Sequence, residues 1–343
     1  MLDKKAIYKK LYNRYIWYRE VLKRHNRTRI GPLKKLRAIK YGYSSDFYRL
    51  YDLDKNSPDD FISEYKRILS RDIDGDYKLL LDDKLLFTEF FSRMVKVPAI
   101  EYYIKDGLYD KSLCRTTFEA FISDFKGKKY ILKPNNGGGG HGVHIIEEKD
   151  GIFIDYKPAT VAELEDLIKK SNNSIINEYI TQHEYASEIF PHSVNTIRLI
   201  TIRDPETGES MIPCAAHRFG NSNTGAVDNV SSGGYVTQID IETGTLGESR
   251  KTSCNEPIRV HPDTGKQIYG TRIPHWDAIC KDVLSASKAC PYLPFIAWDI
   301  AVTEDSYVAL EANASCSLEL FQMFGSIKGS KLWDFYKYYG IVR

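Results

Sequence analysis

Apolar residues recur at helical spacing from the start of the chain. Ile7, Tyr8, Leu11, Tyr12, Tyr15, Tyr18 and Leu22, with Lys and Arg between them, predict an amphipathic helix over residues 4–24. Gly31-Pro32 breaks that pattern, and residues 33–78 read as helical or irregular, with a turn-rich stretch from Asp54 to Asp60. From residue 80 strands and helices alternate. Asp82 or Asp83 can cap a helix through Leu85, Leu86, Phe90 and Met94. Residues 128–133 predict a strand, 143–147 and 152–156 a hairpin, 161–170 a helix capped by Thr160, and 174–180 another strand. Long strands follow at 194–203 and 210–219, joined by the turn sequence Asp204-Pro205-Glu206-Thr207-Gly208. A strand at 234–241, a helix near 275–289 and strands at 295–302 and 306–312 complete the pattern, which shows no internal repeat. The alternation belongs to α/β or α+β architectures. We divide the chain into a helical basic region at 1–78 and two units at 79–180 and 181–343.

Composition narrows the class. The chain has 343 residues, enough for two or three packed subdomains, and no apolar run approaches the roughly 18 residues that span a bilayer. The N-terminus lacks the apolar core of a secretory signal, so the expected compartment is the cytoplasm. Cys114, Cys214, Cys254, Cys280, Cys290 and Cys316 form no CxxC pair; reduced thiols are expected, and zinc is not. The net charge of +2 conceals an asymmetry: residues 1–40 hold 14 Lys/Arg against Asp3 and Glu20. Such an arm is attracted to lipid head groups, nucleic acid or an acidic substrate. We expect an anionic membrane surface rather than nucleic acid.

Two stretches carry chemistry. In Lys133-Pro134-Asn135-Asn136-Gly137-Gly138-Gly139-Gly140-His141-Gly142 a strand ends in a lysine and a glycine loop follows. Glycines let backbone N–H groups approach phosphate oxygens, and the lysine adds a charge. It is neither a Walker A loop nor a dinucleotide fingerprint, because no Gly-Lys-Ser/Thr follows and a strand comes next. A mobile surface loop would read the same. At the far end, Asp299 on one strand and Glu311 and Asn313 on the next supply a hard oxygen set suited to Mg²⁺. Arg198 lies in an apolar strand, where a guanidinium needs an anion.

Together these residues resemble the ATP-grasp superfamily over about residues 80–325. Asp83-Lys84 followed by Val97-Pro98 is similar to the passage before the nucleotide site in D-alanine–D-alanine ligases and biotin carboxylases. Asn195-Thr196-Ile197-Arg198, His217-Arg218, Asp228-Asn229, Gly233-Gly234 and Glu311-Ala312-Asn313-Ala314-Ser315 follow the order of RimK-like glutamate ligases. The Asn-Thr-Ile-Arg, Arg-Phe-Gly and Asp-Asn stretches resemble the sugar-transfer-associated group, which is linked to cell-surface polysaccharide synthesis.

The resemblance implies an α+β ATP-grasp fold, two subdomains sandwiching ATP, with a helical basic N-terminal extension. It implies ATP and Mg²⁺ as cofactors. Lys84, Lys133 and the loop Gly137, Gly138, Gly139, Gly140, His141 and Gly142 would bind phosphates. Glu178, Tyr179 and Ile180 would bind adenine, and Glu184 ribose. Asp299, Glu311 and Asn313 would hold metal, while Arg198, Arg218 and Asn229 would be catalytic. The expected activity is carboxylate–amine ligation through an acylphosphate, with a small-molecule or glycan carboxylate and an amine as partners. A kinase of the same fold and a non-catalytic nucleotide-binding membrane adaptor are the alternatives. Two departures stand out: residues 1–78 do not read as the usual N-terminal α/β domain, and Cys316-Ser317 replaces Pro-Gly after the Asn-x-Ser motif.

Overall fold

The computed structural model describes residues 4–23, 28–225, 227–230, 233–253 and 256–343. Arg24, within the first expected helix, and Cys254 lie outside the described residues. Two antiparallel sheets organise the molecule. The first has eight strands in the order β3-β2-β1-β8-β4-β5-β6-β7. These are β1 Ile100–Ile104, β2 Leu108–Asp110, β3 Arg115–Thr116, β4 Lys129–Pro134, β5 His144–Glu148, β6 Ile152–Ile154, β7 Lys157–Ala159 and β8 Ser174–Glu178. The second has six in the order β12-β11-β10-β9-β13-β14, from β9 Ile197–Arg203, β10 Ser210–Phe219, β11 Tyr235–Ile239, β12 Leu246–Arg250, β13 Phe295–Val302 and β14 Tyr307–Asn313.

The helices are α1 Lys4–Trp17, α2 Pro32–Tyr41, α3 Ser45–Leu50, α4 Glu64–Leu69, α5 Leu79–Asp82 and α6 Lys84–Phe91, then α7 Phe118–Phe125, α8 Val161–Lys170, α9 Glu184–Ile189, α10 Trp276–Ala289, α11 Glu319–Gln322 and α12 Lys331–Tyr338. Two of them cover the eight-stranded sheet: Phe121 and Phe125 of α7 and Leu164 and Ile168 of α8 pack on Tyr130, Leu132, Ile146 and Ile176. Thr160 and Glu163 form a reciprocal capping box at α8, which satisfies two donors that the first turn would otherwise leave unpaired.

Alternation along the six-stranded sheet splits its side chains between two cores. Leu199, Ile296, Trp298 and Ile300 meet α10 and α6 on one face. Ile200, Ile202, Phe295 and Ala297 meet the N-terminal aromatics Tyr43, Phe47, Tyr51 and Phe61, together with α11 and α12, on the other. Residues 38–62 are therefore built into the core of the second sheet instead of extending away from it. Gln322 fixes this contact: its side chain accepts from Ile62 N at 2.7 Å and donates to Ile62 O at 3.0 Å.

Candidate active site

Register brings the candidate residues together. Across the six-stranded sheet, Arg198 on β9 sits opposite Asp299 on β13, and Asp299 opposite Glu311 on β14. Directly opposed residues share a face, so the three form one transverse row. Asn313, two residues beyond Glu311, lies on the same face. The pairing slips by one residue between Asp299 and Ile300, whose partners are Glu311 and Ala309. Leu310 is the extra residue, and this bulge lets Leu310 line the same cavity as Glu311.

The row faces a cavity of about 370 Å³ between the two sheets, within the range of small-molecule sites. Lys133, Gly137, Gly138, Gly139, Gly140 and His141 line it from the first sheet, with Glu178, Tyr179 and Ile180 at one edge and Lys84 reaching in from the start of α6. Arg198, Arg218, Asn229, Asp299, Glu311 and Asn313 line it from the second. Pro98, Ile131, Val194, Leu310 and Leu320 supply an apolar stretch of wall.

Each lysine is positioned by its neighbours. Asp83 caps α6 by accepting from Leu86 N at 3.0 Å, and its other oxygen accepts from Asn135 Nδ2 at 2.6 Å. Asn135 Oδ1 in turn accepts from Leu85 N at 2.8 Å. This reciprocal clasp ties the start of α6 to the end of β4. It sets Lys84 with Nζ 2.8 Å from Gly137 O and 3.4 Å from Glu311 Oε2. Burial pushes the Lys133 ammonium down from 10.5 to about 8; Glu311 opposes that shift and Lys84 adds to it.

The glycine loop reaches the opposite wall. Gly137, Gly139, Gly140 and Gly142 have positive φ, which side chains disfavour. A Cβ on Gly140 would lie 2.8 Å from Asn229 Nδ2 and 3.1 Å from Val227 Cγ1. The loop thus closes on the segment after β10. Gly142 does not line the cavity; it turns the chain against Pro134, whose Cγ would be 3.0 Å from an added Cβ.

The acidic cluster is more engaged than its sequence suggests. Asp299 is buried and takes both Nε and Nη2 of Arg198, the latter at 2.8 Å, with Arg218 Nη2 at 3.3 Å. Burial alone would raise its carboxyl, but Arg198 and Arg218 outweigh it and hold the group below the usual range. Arg218 also donates to Thr196 Oγ1 and lies 3.4 Å from Asp228, whose carboxyl is raised chiefly by burial. Thus each guanidinium is already matched to carboxylate. Among the described residues no hydrogen-bond acceptor meets Arg218 Nη1, which leaves that donor for a ligand.

A magnesium ion fits this donor set. Glu311 keeps a partly exposed carboxylate, and Asn313 lines the cavity with no side-chain hydrogen bond among the described residues, so its amide oxygen is open to a cation. Asp299 would share its oxygens with the arginines. No group of three His, Cys, Asp or Glu that could hold a metal occurs among the described residues, so the amide of Asn313 is needed to complete the set.

Just past the end of β8, Tyr179 N donates to Lys129 O at 3.2 Å, whereas Ile180 N has no partner among the described residues and can serve a ring nitrogen. Glu178 Oε1 accepts from Ala99 N at 3.0 Å. Glu184 corrects the sequence expectation. It begins α9, exposed, with its N–H 2.6 Å from Glu304 Oε1, and is not among the residues lining the cavity. The helix start turns it away from the site that its distance from Glu178 suggested. His141 is exposed on the loop. His217 is buried between Tyr185 OH at 2.8 Å and Phe219; burial pushes its pKa down to about 3, so it is a neutral structural residue.

Sequence reasoning missed the clasp at Asn135 and the support from Arg67 and Asp82. Arg67 Nη1 donates to Ser315 Oγ at 3.1 Å, and Ala314 N to Asp82 Oδ1 at 3.4 Å. These hold the turn that follows Asn313. The spacing of Asp83 and Asn135 carried no local signal, because the contact spans 52 residues.

The sequence matches the family model described as sugar-transfer associated ATP-grasp over residues 66–330. No curated protein matches the chain. Similar solved structures include the D-cycloserine synthetase DcsG, at 12% identity, 75% of this chain, 68% of that chain and a TM-score of 0.42. The N5-carboxyaminoimidazole ribonucleotide synthetase from Thermotoga maritima matches at 12% identity over 68% of this chain and 42% of its own, with a TM-score of 0.36. The ATP-grasp ligase PsnB, solved with a precursor variant, Mg and ADP, matches at 17% identity over 75% of this chain and 58% of its own, with a TM-score of 0.37. The chain spans about half the length of the last two.

Proposed function

The chain belongs to the sugar-transfer associated ATP-grasp family, and from that premise we propose that it is an ATP-dependent carboxylate–amine ligase serving cell-surface polysaccharide assembly. It has the ATP-grasp fold, two α+β halves facing each other across the nucleotide cleft, with a helical basic N-terminal extension. The observation that carries the reading is the row Arg198–Asp299–Glu311 facing Lys84 and Lys133 across one cavity beneath the glycine loop.

In this reading the apolar wall and Ile180 N–H take the adenine. Lys84 and Lys133 hold phosphate oxygens, with loop N–H groups at Gly137 to Gly140. Closure of the loop on Asn229 excludes water. Glu311 and Asn313, with Asp299, would hold magnesium, which when bound offsets charge on the phosphates. A substrate carboxylate oxygen attacks the γ-phosphorus as the bond to the bridging oxygen of ADP breaks. An amine then attacks the acyl carbon and gives up a proton, and phosphate leaves as the amide forms. Arg218 Nη1 steadies the acyl oxygen as charge develops on it.

Hydroxylamine trapping tests this. A screen of sugar acids and amino acids with Mg-ATP should give hydroxamate together with equal ADP. Stable phosphate on a product hydroxyl, without hydroxamate, would establish the kinase reading instead.

A further inference from the structure

Outside the cleft, the first helix has a surface that the nucleotide chemistry does not use. Through Ile16 and the buried Glu20 and Val21 of the turn that follows it, α1 packs against α4. Among the described residues its other side has no protein partner. Ile7, Tyr8, Leu11, Tyr12, Tyr15 and Tyr18 are 43–71% exposed. At 100° per residue they fall within an arc of roughly 140°. Lys10, Arg14 and Lys23, also exposed, accompany this face. Nearby in sequence, α2 exposes Leu33 at 81% and Leu36 at 65%, with Arg37 and Lys40 exposed. Between residues 7 and 40 the only acid is Glu20, and it is buried beside Arg19.

We propose that the outer face of α1 docks the protein on an anionic lipid bilayer surface. Tyrosines and aliphatic side chains interleaved with bases suit the headgroup boundary, where apolar groups enter and ammonium and guanidinium groups meet lipid phosphates. A second copy of this chain fits poorly, because face-to-face pairing would oppose Lys10 and Arg14 with their own copies. Nucleic acid would use the bases and tyrosines but gives no place to Ile7 and Leu11.

The test uses the full chain and vesicles of phosphatidylcholine alone or with about one third phosphatidylglycerol, an anionic content in keeping with electrostatic docking. Two variants, Tyr8→Ser/Leu11→Ser/Tyr12→Ser and Lys10→Glu/Arg14→Glu, change only exposed positions. The wild type should co-sediment with the anionic vesicles, less so at high salt, and not with neutral ones. Each variant should lose affinity by on the order of tenfold or more while keeping wild-type ATP binding. Wild type that stays in solution with anionic vesicles overturns the proposal, as does equal binding by all three proteins. RNA binding or self-association lost in both variants, without vesicle binding, would assign the face to those partners.

Discussion

Substituting Gly140 by Ala isolates the loop's approach to the opposite wall. Gly140 has φ +74°, where an L-residue costs about 1–2 kcal/mol. Its new Cβ would also sit 2.8 Å from Asn229 Nδ2 and 3.1 Å from Val227 Cγ1. Asn229 can rotate away and Val227 cannot do so as easily, so the loop must lift by a few tenths of an ångström. Backbone cost and displacement together amount to about 2 kcal/mol, or roughly 30-fold in affinity. The loop packs in none of the three apolar cores, so the loss should appear in ATP binding and hardly in the unfolding midpoint. Gly138 is the control: its φ is not left-handed and an added Cβ meets nothing within 4 Å. Isothermal titration with Mg-ATP should show Gly138→Ala within about twofold of wild type and Gly140→Ala weaker by 10- to 30-fold. Equal affinity for the two variants would refute the closure of the loop on Asn229.

The Asp299 and Glu311 carboxylates should separate by readout. Asp299→Asn leaves two buried guanidinium groups undercompensated and should cost about 3–5 kcal/mol in urea unfolding. Glu311→Gln keeps the side chain's shape while weakening its ion contacts to Lys84 and Lys133, should cost less stability than Asp299→Asn, and should instead weaken magnesium-dependent ATP binding. Lys133, lowered to about 8, loses its proton in the free protein as pH rises through that value. Phosphate favours the charged form, so ATP affinity should fall about tenfold between pH 7 and pH 9, with proton uptake seen in buffers of different ionisation enthalpy. Asp74 is buried, accepts from Phe295 N at 3.1 Å, and is raised by burial from 3.8 to about 8. Its folded form binds the proton more tightly than the unfolded form, so stability falls as pH rises from about 4 toward 8. Asp74→Asn should flatten that fall by on the order of 2–4 kcal/mol between pH 5 and pH 8, read from urea midpoints.

Local patterns carried much of the second half of the chain. The expected helix at 161–170 is α8, and strands expected at 210–219 and 295–302 are β10 and β13. Thr160-x-x-Glu163 and alternation over buried strands are signals that neighbouring residues alone determine. β1, β2 and β3 left no such mark: β3 is two residues long and β1 alternates weakly. The core role of Tyr43, Phe47 and Tyr51 was equally hidden, because it depends on α12 nearly 300 residues later. Within the site, Glu311 and Asn313 could be placed on one face from their spacing. The pairing of Asp299 with Arg198 could not, since it requires knowing that β9 and β13 are neighbours in the sheet. Leu310 escaped for the same reason, because only the bulge opposite Asp299 turns it to the cavity.

Equilibrium binding of Mg-ATP to the wild type and to Lys133→Met, with circular dichroism to confirm the fold, tests the central claim most directly. The account predicts saturable, magnesium-dependent binding to the wild type that falls by on the order of 100-fold or more in the variant, because a charged phosphate contact is removed from a partly buried site. Binding of equal strength in a folded Lys133→Met protein, or none by the wild type, would contradict it.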